Sequence, residues 1–184
     1  MDGLASSPPI LPSAVPQELS CFEAYQSEFD YLYRTLQRLG VRPEDLEDQA
    51  QEIFLVLNRK WQEYDASRPL RPYLFGIAFR VVAAGRRKQQ REEPRELEEV
   101  AADGEHPDEA LDAARTRALV LRALARIPLP RRAVFVMHDI DETPMREIAR
   151  ALSLPLFTGY SRLRTARREF EAAVRALQEG MREP

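Results

Sequence analysis

Apolar residues recur along this chain at three- and four-residue steps, the spacing of one face of an α-helix. Phe22, Tyr25, Phe29, Leu32, Leu36 and Leu39 follow that spacing, and Gly40 ends the run. A second helix is expected from near Pro43, with acids in its first turn and Leu46, Ala50, Ile53, Phe54, Leu57 and Trp61 on its inner face. The segment from Tyr64 to Pro72 cannot continue it, because its prolines lack a backbone donor. A third helix follows Pro72 and buries Leu74, Ile77, Ala78 and Val81. After a polar stretch the helical spacing returns. One helix is expected from about Ala113 to Arg126, and a short one after Pro130 containing Val134, Phe135 and Met137. Thr143 suits an N-cap and Pro144 a first helical position, ahead of Ile148, Ala149 and Leu152. Ser153 and Leu154 form a short turn, and Pro155 opens a last helix with Leu163, Ala166, Phe170, Val174 and Leu177 inside. The expected fold is all-α, in two small helical domains.

Charge sharpens the division. The whole chain carries −3, but residues 1–20 carry −2, 21–91 carry +2, 92–112 carry −9 and 113–184 carry +6. The acidity sits in one segment, EEPRELEEVAADGEHPDEALD, which has almost no large apolar residues. Like charges at that density repel and extend a chain. Residues 92–112 are therefore expected to be a flexible linker between two separately folded, mobile modules, 21–91 and 113–184. Residues 1–20, rich in Pro and Ser, read as a disordered tail without the basic and apolar regions of a signal peptide. No stretch approaches the roughly 18 apolar residues of a membrane helix. One cysteine, Cys21, cannot form an internal disulfide, which fits a reducing cytoplasm.

Three constellations carry candidate chemistry. The first is the closing pair of helices: a short helix, a tight turn and a longer helix is the geometry that lays a second helix in the major groove. On that helix Arg164 and Arg168 stand one turn apart, with Arg162 and Arg167 beside them. Like charges at this spacing destabilise a free helix and make sense against phosphates; the alternative is a solvated face. The second joins Arg80, Arg86, Arg87, Lys88 and Arg91 with Tyr64, Arg68, Arg71 and Tyr73. Aromatics mixed with cations suit stacking on unpaired bases; an amphipathic helix with a basic end is the alternative. The third places Asp48, Gln51, Glu52 and Leu55 on one helix surface. Without a histidine or a glycine-rich loop beside them, these carboxylates point to partner docking or a solvated face rather than catalysis. His106 and His138 lack neighbours at metal-ligand spacing. Neither a cofactor nor a metal is expected, and Trp61 reads as core.

In this order, the features resemble the extracytoplasmic-function group of bacterial sigma factors, over about Phe22 to Leu177. The stretch DLEDQAQEIFLVLNRKWQEYDASRPLRPYLFGIAFRVVA resembles that family's region 2. The stretch ALARIPLPRRAVFVMHDIDETPMREIARALSLPLFTGYSRLRTARREF resembles its region 4. The resemblance implies that Asp48, Gln51 and Glu52, with Leu55 on their face, dock on core RNA polymerase. It implies that the loop from Tyr64 to Tyr73, with Arg68 and Arg71, captures a flipped base of the minus-ten element, and that Arg80 and Arg87 help open and hold it. It assigns the minus-thirty-five element to the last helix, through Thr158, Tyr160, Ser161, Arg162, Arg164, Arg167 and Arg168. The acidic linker matches the segment that threads the polymerase toward its RNA path, where its charge would mimic nucleic acid. Promoter DNA and an anti-sigma factor are the other implied partners. The chain departs from the family pattern at Gln49, where leucine is usual. It departs again at Phe157-Thr-Gly-Tyr-Ser-Arg162, where Gly-Thr-Val-Lys-Ser-Arg is usual, and at Thr165, where arginine is frequent. Two other readings are a stand-alone helix-turn-helix regulator and a sigma-like interaction protein that has lost promoter reading.

Overall fold

Ser20 starts the first helix with a reciprocal cap. Its hydroxyl accepts the Glu23 N–H at 3.3 Å, and the Glu23 carboxylate accepts the Ser20 N–H at 2.9 Å. The computed structural model describes residues 20–92 and 108–180; the expected tail up to residue 19 and residues 93–107 of the expected linker fall outside them. Instead of one helix from Phe22 to Leu39 there are two, α1 (Cys21–Ser27) and α2 (Phe29–Leu39). The break falls at Glu28, where the Ser27 hydroxyl donates to the Ala24 carbonyl at 2.9 Å and competes with the helix ladder. The bend lets Tyr25 pack on Phe54, centroids 4.8 Å apart, and donate to the Ala50 carbonyl at 3.0 Å. Phe22 and Phe29, expected inside, are left exposed. Gly40 closes α2 in the left-handed region, φ 80°.

A 3-10 turn at Pro43–Asp45 leads into α3 (Leu46–Lys60). Helix α4 (Leu70–Glu92) starts two residues before Pro72, which sits in the first turn where its missing donor costs nothing. Leu32, Leu36 and Leu39 of α2, Ile53 and Leu57 of α3, and Leu74, Phe75 and Ile77 of α4 are fully buried together.

In the second half, α5 (Asp108–Ala125) begins five residues before the expected Ala113. Its first turns hold Asp108, Glu109 and Asp112, which favour a helix N-terminus, so the end of the acidic segment is helical. Then come α6 (Leu129–Phe135), a π-helical turn at Val136–Ile140, α7 (Met145–Ala151) and α8 (Leu156–Gly180). Thr143 is not the cap of α7: it is buried, its N–H donates to the Met137 carbonyl at 2.8 Å, and Pro144 holds the cap position. The α7–α8 turn passes through Ser153 at φ 51°, and the Leu154 N–H donates to the Ala149 carbonyl at 2.9 Å.

The two halves do not stand apart. One continuous apolar core runs from Leu32 and Leu36 through Leu124, Ile127 and Val134 to Ile148. Asp141 joins α2, accepting from the Tyr31 hydroxyl and the Arg38 guanidinium, each at 2.9 Å. Arg132 is almost fully buried and donates to the carbonyls of Leu39 at 2.7 Å, Ala125 at 2.6 Å and Ile127 at 3.0 Å. Arg86 donates to the Leu39 carbonyl at 2.7 Å from the other side. A helix C-terminus leaves carbonyls without intrahelical donors and carries partial negative charge; one arginine from each half answers that need on α2. Gly40 is where both arrive, and a Cβ there would lie 2.9 Å from the Arg86 guanidinium. Burial, then the Arg86 charge, push the Arg132 pKa down to about 9, still protonated at neutral pH.

Candidate nucleic-acid interface

The segment between α3 and α4 is a pre-ordered aromatic corner. Trp61 stacks on Tyr64 with centroids 5.3 Å apart, and Tyr64 meets Tyr73 at 5.0 Å. Trp61, half-buried and packed against the core as the sequence reading has it, also continues the row of rings formed by Tyr64 and Tyr73. The loop is held from within. The Tyr64 hydroxyl donates to the Arg68 carbonyl at 2.5 Å, and Asp65 accepts the Ser67 N–H at 3.1 Å and pairs with Arg68 at 3.0 Å. Burial, then the Asp65 charge, push the Tyr64 pKa up to about 12, so the ring edge stays a neutral donor. Burial raises Tyr73 likewise.

The arginines of this region divide. Arg71 turns away from the platform, pairing with Glu28 at 2.8 Å and lying over the Tyr31 ring at 5.0 Å. Arg80 donates to the Ala151 carbonyl of α7 at 3.1 Å. Arg86 is spent on the end of α2. Arg87 is exposed and makes no hydrogen bond or ion pair among the described residues. Helix α7 covers α4 here: at Gly76 a Cβ would stand 2.5 Å from the Ala151 carbonyl oxygen, so a side chain would force the two helices apart.

On α3, Asp48, Gln51, Glu52 and Leu55 are all exposed on one face, with Leu55 retaining 47% of its surface. Glu52 stands 4.0 Å from Arg59, a loose exposed pair. Gln49 lies between this face and the core, over Gly85 of α4, and its Oε1 is buried with no hydrogen-bond partner among the described residues.

Helices α7 and α8 cross at Gly159. A Cβ there would lie 2.6 Å from the Met145 Sδ and 3.3 Å from the Leu154 Cδ1. The glycine is thus a close-packing residue, matched to the buried Met145. Around it the open face of α8 carries Phe157, Tyr160, Ser161, Arg164 and Arg168, all exposed, with Thr158 and Arg162 half-buried at its edge. Arg162 lines a groove with Pro128 and Pro130. Arg167 is engaged: its guanidinium donates twice to the Asp139 carboxylate, both at 2.7 Å. Arg164 and Arg168 have no such partner among the described residues. The Arg167 hydrogen bonds, helped by the one to His138, hold the Asp139 carboxyl below its usual range despite its partial burial. Among the described residues no three side chains are grouped to hold a metal ion, and no helix is long and apolar enough to cross a membrane.

Known proteins share this arrangement. The family descriptions Sigma-70 region 2 and Sigma-70, region 4 match residues 24–92 and 117–170. The chain is 24% identical to the ECF RNA polymerase sigma factor SigW of Bacillus subtilis over 159 residues, 80% of this chain and 85% of that protein. In fold it is similar to CnrH, solved in complex with the cytosolic domain of CnrY, with a TM-score of 0.59 and 20% identity over 85% of this chain and 88% of that one. It is also similar to the sigma factor RpoE, solved with the anti-sigma factor NepR from Bartonella quintana; the TM-score is 0.64 and the identity 18% over 83% of this chain and 98% of that one. With both sigma regions in order along one all-α chain, the protein belongs to the sigma-70 family, in its extracytoplasmic-function group.

Proposed function

We propose that this chain is an alternative sigma factor that directs core RNA polymerase to its promoters and has no catalytic residues of its own. Three surfaces support the reading, two of them exposed and the third a half-buried aromatic corner. Asp48, Gln51, Glu52 and Leu55 of α3 bind core polymerase. The Trp61–Tyr64–Tyr73 corner, with Arg68, Arg80 and Arg87 around it, takes the unstacked bases of the minus-ten element. The open face of α8 binds the minus-thirty-five element. Residues 21–91 and 113–184 serve as the two functional modules, and the work is done in the cytoplasm. An anti-sigma factor regulates it, as the pairing of RpoE with NepR illustrates for that protein. The observation that carries the proposal most is the α7–α8 crossing at Gly159, which leaves one arginine-bearing face of α8 open to a groove of DNA.

A titration of core polymerase followed by promoter-dependent transcription tests this directly. The chain is expected to bind core and to start transcription at its own promoters. Replacing Asp48 and Gln51 with alanine is expected to weaken core binding with the helical circular dichroism unchanged. Unaltered affinity would remove the α3 assignment, and binding without transcription would leave an interaction protein.

A further inference from the structure

The first turn of α8 shows a feature that charge alone does not explain. Phe157 keeps 83% of its surface in solvent, Tyr160 55% and Leu156 43%. These are three of the few large apolar side chains that the described residues leave exposed. Phe157, Tyr160 and Arg164 stand at i, i+3 and i+7, so one face carries two rings followed by an arginine. Gly159 fixes that face, because α8 rests on Met145 there and cannot roll to bury Phe157. In a helix-turn-helix the N-terminal residues of the second helix are those that reach base edges. The apolar group a side chain meets on the floor of the major groove is the C5-methyl of thymine.

We infer that Phe157 is a specificity-determining residue that selects thymine in the upstream promoter element, with Tyr160 on a second thymine one or two base steps away. Helix residues three apart have Cβ atoms about 5–6 Å apart, a separation that one or two steps of about 3.4 Å bracket. The occupant is duplex DNA rather than a protein, because the rings continue directly into Arg164 and Arg168, which have no carboxylate partner among the described residues. The inference rests on the reading of α8 as the helix that binds the upstream element.

The test uses the chain bound to core polymerase. Its preferred upstream element is first selected from a randomised library. Each thymine of that element is then replaced by deoxyuridine, which removes only the methyl group. For the wild type, one replacement is expected to weaken binding about fourfold, the value of one buried methyl. Phe157→Ala is expected to lose about the same on the thymine element and to be indifferent to that replacement. Phe157→Leu, which retains apolar contact, is expected to keep part of the difference. Phe157 is so exposed that neither substitution threatens the fold. Wild-type indifference to deoxyuridine at every position overturns the inference, as does a Phe157→Ala chain that still responds at every position where the wild type does. Weakened core binding in Phe157→Ala with DNA selectivity intact would assign the rings to a protein partner and overturn it too. Selection of no motif by the wild type overturns the DNA-reading role of α8 itself, an outcome distinct from the others.

Discussion

Gln49 and Gly159 both depart from the pattern of the family, and the structure gives them opposite meanings. Gln49 buries an amide oxygen that finds no donor among the described residues. Leaving such a group unpaired costs about 1–3 kcal/mol, so Gln49→Leu is expected to stabilise the chain by about 1 kcal/mol. Chemical denaturation checks this; equal or lower stability would mean that the oxygen is satisfied in solution. Gly159 lowers helix propensity by about 1 kcal/mol, but a Cβ there would press on Met145 at 2.6 Å. The usual valine at this position is expected to destabilise by about 2 kcal/mol through overpacking. Met145→Ala is expected to restore much of that loss when combined with Gly159→Val, because one change vacates what the other fills. Additive losses in the double variant would contradict the contact.

Helix α8 shows how far an element can be read before its neighbours are known. Its start, most of its buried stripe and the exposed Arg164 and Arg168 follow from spacing, as do the exposed Asp48, Gln51, Glu52 and Leu55 of α3. Which arginine is available to DNA does not. Arg162, Arg164, Arg167 and Arg168 look alike in sequence, yet Arg167 is held by Asp139, 28 positions away. The same limit hides the capping role of Arg86 and the engagement of Arg80 by α7, 71 positions downstream. The break at Glu28 was also unreadable, since the apolar spacing of Phe22 to Leu39 continues across it and only the packing of Tyr25 on Phe54 decides it. For α8 the distinction is measurable. Arg164→Ala and Arg168→Ala are each expected to lower the salt dependence of DNA binding by about one counterion. Arg167→Ala is expected to leave that slope nearly unchanged. An equal drop for all three would mean that Arg167 leaves Asp139 for DNA.

At the scale of the molecule, the acidic segment suggests two independent modules, and the structure joins them. Composition describes what residues 92–112 cannot bury; it is silent on the faces that α2 and α4 present to the other half. Asp141 is a buried carboxyl of that junction, faced by Tyr31 and Arg38 of α2 and by Arg71 of α4. Burial raises its pKa above the ordinary carboxylate value, outweighing the Tyr31 hydrogen bond and the two arginines. The joined state therefore holds this proton more tightly than the separated one. Its contribution is fully present below the ordinary carboxylate pKa and is lost as pH rises through the raised value. Energy transfer between labels on α3 and α8 is expected to rise as pH falls toward the ordinary carboxylate value, and Asp141→Asn is expected to abolish the change. A response in the same direction in Asp141→Asn would place the proton elsewhere. The hold of Ala151 on Arg80 has a further consequence in mass action. Helix α7 is a competitor for α4 on the same chain, so its effective concentration is fixed and dilution cannot remove it. Any strand that needs the α4 surface beneath Ala151 bare binds with an affinity divided by the ratio of joined to separated molecules, tenfold for each 1.4 kcal/mol of junction.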